Sequence, residues 1–577
     1  MRGGVTAPLF NFMTQKEKLK VLMCSEASFL HSGFGTYTKE LLSRLHKTNK
    51  YTIAEFASYG FVNDPRDQSI DWIYYANAVR DEDPRHAEYA SRPENQFGKW
   101  RFEKVLLDFK PDVVIDVRDY WMSAYQAHSP LRKYFHWILM PTVDSEPQQE
   151  EWIDTFLNAD AIFTYSDWGA DVLKKQSSNH VKYINTAAPG VDLNTFTLKS
   201  LEERRALRRK LGVPEDAIIF GTVMRNQKRK LFPELFSAFR SVLDDLKSRG
   251  MDEIAKKCYL YIHTSYPDMG WDIPEILKEN RVSNKVFMTY ACKSCKHIRA
   301  STFSGPVKVC ERCLNKTSGF TSVGDGVTSE NLSEIYNTFD VYIQYAICEG
   351  FGMPQVEAGA CGLPIITVNY SAMEDIVKYL EATPIEPKTR FKELETKAIR
   401  VYPDNNQLKN SMLYIASIID SDPASAESRR QRVRALTEHH YSWDRTAKIW
   451  EDYLDSLDSS GYRANWNLPP NFSNNIGDTN IQIDPRNNFD TVVSILQNNR
   501  KDLSMIDKMH ILSILKDWDY GFQMAGPLQV RQFTSQNVLD GLQNIIHGHN
   551  IVESVRSQNS LPEEDFLKYA KMKAGIQ

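Results

Sequence analysis

Glu349 and Glu357 stand eight positions apart in the stretch Cys348-Glu349-Gly350-Phe351-Gly352-Met353-Pro354-Gln355-Val356-Glu357-Ala358-Gly359-Ala360-Cys361-Gly362-Leu363-Pro364. The apolar run at residues 341–346 leads into it and reads as a buried strand. A helical pattern follows from Pro354 to Ala360, Gly362-Leu363-Pro364 stops it, and residues 365–368 resume as a strand. A Gly-rich turn between a strand and a helix start offers free backbone N–H groups and the positive end of the helix dipole, which suits a phosphate. Gly350 and Gly352 allow close backbone approach, and Glu357 falls in the first turn of a helix starting near Pro354. Taken alone, such a segment is also an ordinary strand–turn–helix with a capping glutamate.

A second set of charges follows the strand expected over residues 217–223, where Met224-Arg225-Asn226-Gln227-Lys228-Arg229-Lys230 leaves its C-terminal end. Cations there, beside a switch point of a parallel sheet, suit a diphosphate; the bland reading is a solvated basic loop. Ser32-Gly33-Phe34-Gly35 follows a strand over 18–24 and precedes a helix over 38–45, a weak phosphate signal by itself. His263 ends a strand over 259–264, and a lone histidine is more often structural. The run Glu202 to Lys210 reads as a solvated helix face.

Cys292-x2-Cys295 and Cys310-x2-Cys313 are separated by fourteen residues. Each turn can aim two thiolates at one tetrahedral ion, the spacing of a zinc ribbon; four protein ligands leave no open position, so the zinc is expected to be structural. A redox dithiol needs one pair near a helix start, not two pairs. The insert, residues 290–320, is expected to interrupt a surface connection. Lys293, Lys296, Arg299, Lys308, Arg312 and Lys316 face Glu311 alone, which makes a basic knob. Such a knob suits a phosphate-bearing acceptor, nucleic acid or a phospholipid head group; a self-contained staple is the alternative.

The chain has 577 residues, enough for about three or four domains, with 42% hydrophobic and 25% charged residues, as in a soluble globular protein. A net charge of -4 gives no globally basic nucleic-acid surface, and no run of eighteen apolar residues suggests a spanning helix. The first eight residues lack a signal-peptide core, and the cysteine usage suits a reducing, cytoplasmic compartment. Strands alternate with helices, which predicts parallel sheets. Residues 459–484 read as a linker, and 485–577 as a helical accessory or homo-oligomerisation unit.

The Glu-x7-Glu spacing around Gly-Phe-Gly-Met-Pro, with its Ala-Gly-Ala-Cys-Gly-Leu-Pro tail, resembles the donor-site signature of retaining glycosyltransferases of family 4. Pro189-Gly190-Val191-Asp192 with Phe196 looks like the turn that closes the first domain in that family, and Arg225 and Lys230 match its Arg-x4-Lys pair. The resemblance implies an α/β GT-B fold, two doubly wound Rossmann-like domains facing a cleft. Residues 18–198 form the acceptor-side domain, 199–440 the nucleotide-sugar domain, and 441–458 a helix crossing back to the first. It implies transfer of a sugar from a UDP- or GDP-linked donor with retention at the anomeric carbon and no metal in the chemistry. Glu349 and the N–H groups of Phe351, Gly352 and Met353 position the sugar, Glu357 holds the ribose, Arg225 and Lys230 offset the leaving diphosphate, and Gly33 and Gly35 face the donor. The loop Pro141-Thr142-Val143-Asp144 lacks the histidine often found there; Asp144 is a weak substitute for it, and the acceptor stays unread. Glu374 lacks the family's flanking glycines, so no role is carried to it. The alternatives are a non-catalytic nucleotide-sugar or glycan binding protein, a nucleotide-sugar epimerase or a glycan phosphorylase; four intact charged residues argue against the first.

Overall fold

The computed structural model describes residues 17–129, 131–322 and 326–466; the leader before residue 17 and the helical region expected over 485–577 lie outside the described residues. Strands here are short apolar runs because a strand buried on both faces needs no polar alternation. One compact unit contains the described residues up to Asp116, His128–Trp137 and those from Asp458. In it β1 (Leu19–Glu26), β2 (Tyr51–Phe61), β3 (Ile73–Ala78) and β4 (Val113–Arg118) run parallel in the order β3-β2-β1-β4. The helix Gly33–Lys47 begins inside the glycine turn, earlier than the expected start at Thr38, because Ser32 caps it by accepting the Gly35 N–H at 3.0 Å. A helix, Ser460–Trp466, occupies the start of the stretch read as a linker. Its Arg463 bonds to Asp112 at 3.1 Å and donates to the Lys18 carbonyl at 2.9 Å, contacts that composition cannot reveal.

The second unit holds Val117–Ala127 and Ile138–Leu457. Here β5 (His136–Pro141), from Ile138 on, pairs in parallel with β6 (Ala161–Thr164), and β6 with β7 (Tyr183–Thr186). The chain then lays down β8 (Ile218–Val223), β9 (Cys258–His263) and β10 (Val286–Cys292) side by side in one direction. Between β10 and the next parallel strand come three short ones, β11 (Ile298–Thr302), β12 (Val307–Lys308) and β13 (Ser318–Phe320). The chain returns on the other side of β8 with β14 (Val341–Gln344), β15 (Ile365–Val368) and β16 (Thr383–Ile385). The parallel order is therefore β10-β9-β8-β14-β15-β16, and the direction of winding reverses between β8 and β14. An antiparallel hairpin, β17 (Pro387–Lys392) and β18 (Ile399–Pro403), follows. The helix Trp443–Ser456 stacks its fully buried Trp450 on Phe163 of β6, ring centroids 4.2 Å apart.

Two expectations change. The basic run is not solvated throughout: on the helix Leu201–Leu211, Arg204 and Arg208 are buried, and Asp340 takes one from each of its oxygens at 2.6 and 2.7 Å. The i,i+4 spacing puts both on one helical face while Arg205 and Arg209 point to solvent. Remaining guanidinium protons go to the Phe339, Thr338, Glu215 and Ala217 carbonyls, which satisfies charges that would otherwise be costly to bury. Nor does the cysteine insert interrupt only a surface connection. Strand β10 pairs with β9 over Val286–Met288 and continues into the insert, pairing with β11 and, at Cys292, with β13.

Candidate active site

In a doubly wound sheet, ligands sit beyond the carboxyl ends of the strands at the point where winding reverses. Here the segments leaving β8 and β14 meet at that point. The Ile347 N–H donates to the Arg229 carbonyl at 3.0 Å and the Leu231 N–H to the Tyr345 carbonyl at 3.1 Å. That pairing places Lys230 against Glu349, 119 residues later, in a buried ion pair. Gln344 donates its side-chain N–H to the same carboxylate oxygen, and the Tyr342 hydroxyl lies 2.6 Å from the Gln344 carbonyl oxygen. The Glu349 N–H donates to Ser371 Oγ at 2.9 Å; Ser371 holds φ +57°, costly for a residue with a side chain. Burial pushes the Lys230 ammonium well below its usual range, and the carboxylate in contact opposes that push. An anionic oxygen brought to Lys230 competes with Glu349 for the ammonium.

The Gly-rich turn ends at the helix Met353–Ala360, with Gly352 as N-cap at φ +89°, a conformation that favours glycine. A Cβ at Gly350 would meet the Thr142 methyl at 2.4 Å, so any other residue there would have to displace the Thr142 side chain. Phe351 and Met353 flank Gly352, and the first N–H groups of a helix have no partner within it. The helix starts at Met353, and Glu357 therefore lies beyond its first turn rather than within it. It is held by the Tyr336 hydroxyl, which donates at 2.8 Å.

Burial lifts the Glu357 carboxyl to about 7, the Tyr336 bond working against it. Its pKa in the folded chain lies above the unfolded value of roughly 4.3, so the proton binds the folded state more tightly. The stabilisation this gives is complete below about pH 4 and is lost as pH rises through about 7. Glu374, lifted to about 7 mainly by burial, adds to the same window. Melting curves are expected to show stability falling between about pH 4.5 and 7, and Glu357→Gln is expected to flatten that fall by up to about 3 kcal/mol. An unchanged pH slope in the variant would contradict the burial argument.

Arg225 is not joined to the Lys230–Glu349 pair. Its guanidinium makes a two-point bond to Asp268, 2.9 and 3.2 Å, and holds that carboxyl down at about 2. Asn226 beside it clasps Trp271 through both its amide groups, 2.8 and 2.9 Å, and the Trp271 ring N–H donates to the Lys230 carbonyl at 2.7 Å. His263 lies 2.9 Å from Thr289 Oγ1, and burial lowers its pKa to about 4, which keeps it neutral. Asp144 is held by Arg400 at 3.1 Å, with the Cys348 thiol 3.6 Å from its other oxygen. Gly33 and Gly35 lie in the first turn of the Gly33–Lys47 helix of the other unit. Sequence reasoning missed Gln344, Tyr336 and Ser371. Gln344 carried a signal, a lone amide inside an apolar strand, since a buried amide needs a partner; Ser371 carried none.

Cys292, Cys295, Cys310 and Cys313 converge, their four sulfurs within 4.8 Å of one another, with the 292–313 and 295–310 pairs at 3.6 Å. A tetrahedral ion with sulfur at about 2.3 Å sets sulfurs about 3.8 Å apart, so the set fits zinc. The two turns are alike. Lys296 and Leu314 follow them at φ +57° and +62°, and their N–H groups donate to the Cys292 and Cys310 carbonyls, both at 2.9 Å.

Residues 321–414 match the family described as Glycosyl transferases group 1. The matched segment contains Glu349 and Glu357 but neither Arg225 nor Lys230. No curated protein matches the chain. Among solved structures, sucrose-phosphate synthase from Thermosynechococcus elongatus is 16% identical over 76% of this chain and 100% of that one, with a TM-score of 0.54. Anabaena HepE in complex with UDP-glucose is 12% identical over 76% and 100%, TM-score 0.52. A glycosyltransferase from Rickettsia africae is 15% identical over the same shares, TM-score 0.51. The chain has the GT-B fold of these enzymes.

Proposed function

We propose that the protein is a retaining glycosyltransferase that moves a sugar from a UDP- or GDP-linked donor to an acceptor. The observation that carries this reading is the buried Lys230–Glu349 pair beside a glycine-capped helix start, at the winding reversal of a sheet whose segment 321–414 matches Glycosyl transferases group 1. In this reading Glu349 and the N–H groups of Phe351, Gly352 and Met353 hold the donor sugar, and Glu357 accepts from the ribose hydroxyls. As the bond between the anomeric carbon and the diphosphate oxygen breaks, charge builds on the diphosphate and Lys230 offsets it. Arg225 takes the same role only by leaving Asp268. Gly33 and Gly35 face the donor, residues 18–198 form the acceptor-side domain and 199–440 the donor domain. The HepE complex with UDP-glucose supports a nucleotide-sugar ligand for this fold. The four cysteines hold a structural zinc that ties the two turns together.

Two measurements test the reading. A nucleotide diphosphate that binds the folded chain is expected to raise its melting temperature, and Glu357→Ala to remove most of that rise. The product is expected to keep the donor's anomeric configuration, because the motif places no carboxylate to act as base on the far side of the sugar. Proton NMR showing an inverted anomer would contradict it.

A further inference from the structure

Strand β14 is buried on both faces, yet the faces differ in chemistry. Val341 and Ile343 belong to the hydrophobic core, while Tyr342 and Gln344 alternate with them on the other face. A buried amide is costly unless it is bonded, and Gln344, 1% exposed, is bonded at both ends. The Tyr342 hydroxyl lies 2.6 Å from Gln344 Oε1 and 3.1 Å from the Val223 carbonyl oxygen. Gln344 Nε2 donates to Glu349 Oε1. A carboxylate only accepts, so the amide turns its N–H groups toward Glu349 and its oxygen toward the phenol. Lys230 rests on that same oxygen, Oε1. Glu349 Oε2 takes no hydrogen bond among the described residues.

The two donors on Oε1 are held differently. Lys230 carries its ammonium on a flexible aliphatic stem, in the segment after β8, and an anionic oxygen competes for it. Gln344 stands on the strand itself, and Tyr342 fixes its amide. We infer that Gln344 is a positioning residue: it keeps Glu349 Oε1 held, with Oε2 turned to the donor sugar, once a diphosphate has drawn Lys230 away. The inference rests on the proposed glycosyl transfer. Lys230 then serves first the carboxylate and afterwards the leaving group, and the bond from Gln344 is the one that does not change.

Two variants test this. Gln344→Met keeps the side chain's length and removes its N–H groups; the Tyr342 hydroxyl keeps the Val223 carbonyl, so no buried donor is orphaned. Its kcat for release of sugar from the donor is expected to fall about tenfold or more, with nucleotide-diphosphate affinity within about twofold of wild type, because the diphosphate meets Lys230 and not Gln344. Gln344→Glu supplies a hydrogen only while the introduced carboxyl is protonated, and Glu349 beside it favours the protonated form. Near the wild-type rate at low pH, this variant is expected to lose activity as pH rises, the ratio of wild-type to variant kcat growing about tenfold or more between about pH 5.5 and 8.5. The ratio cancels titrations common to both chains, those of Lys230, Tyr342, Glu357 and the nearby Cys348 and Arg229 included. Wild-type kcat in Gln344→Met overturns the inference. So does a fall in kcat matched by an equal loss of nucleotide affinity, or a ratio for Gln344→Glu that stays flat with pH; either makes Gln344 a structural residue only. Cleavage of no donor by the wild-type chain removes the proposed reaction, and this role with it.

Discussion

Lys230→Ala is expected to lower sugar transfer by about 30- to 1000-fold, equivalent to about 2–4 kcal/mol of transition-state stabilisation. The size follows from where the ammonium sits. It is buried, it is fixed by pairing between the segments after β8 and β14, and it rests against a single carboxylate oxygen. A preorganised cation in such a place acts on developing charge without reorganising, and water replaces it poorly. The substitution also leaves Glu349 without its cation, so the melting temperature of the variant is to be measured alongside, with Lys230→Ala/Glu349→Gln as the control that removes both charges. Full activity in the single variant would take Lys230 out of the mechanism.

Cys310→Ser is expected to empty the ribbon of zinc, from one per chain to near none. Structural zinc contributes on the order of 10–16 kcal/mol to small sites of this kind, and so short a segment has little apolar core to replace it. Because β10 belongs both to the sheet and to the ribbon, lost hydrogen-exchange protection is expected to spread from 290–320 into Val286–Met288, the residues paired with β9, and to leave β8 and β14 protected. Zinc retained in the variant, or none in freshly purified wild type, would contradict the site. Loss of transfer with donor hydrolysis intact would tie the ribbon to the acceptor.

The parallel sheets were legible because their strands are continuous apolar runs, and the Gly-rich turn because glycines and carboxylates sit close in sequence. Residues 348–357 told most of their own story. What the sequence hid were relations across long separations. Lys230 and Glu349 were each visible, but their contact depends on backbone pairing between residues 229–231 and 345–347. Arg204 and Arg208 looked solvated because their partner, Asp340, lies more than 130 residues away. The helix at Ser460–Trp466 depends in the same way on Asp112. Glu357 was placed one residue too near the helix start because Gly352, rather than a polar cap, begins the helix.

In the proposed reaction the turn at Glu349 holds a nucleotide sugar and acts on its anomeric bond. Release of free sugar from a panel of UDP- and GDP-linked sugars, by the wild-type chain and by Glu349→Gln, tests this most directly. The wild type is expected to cleave at least one donor, and Glu349→Gln to bind the nucleotide still but cleave that donor far more slowly. Equal cleavage by both chains, or no cleavage and no nucleotide binding by the wild type, would contradict it.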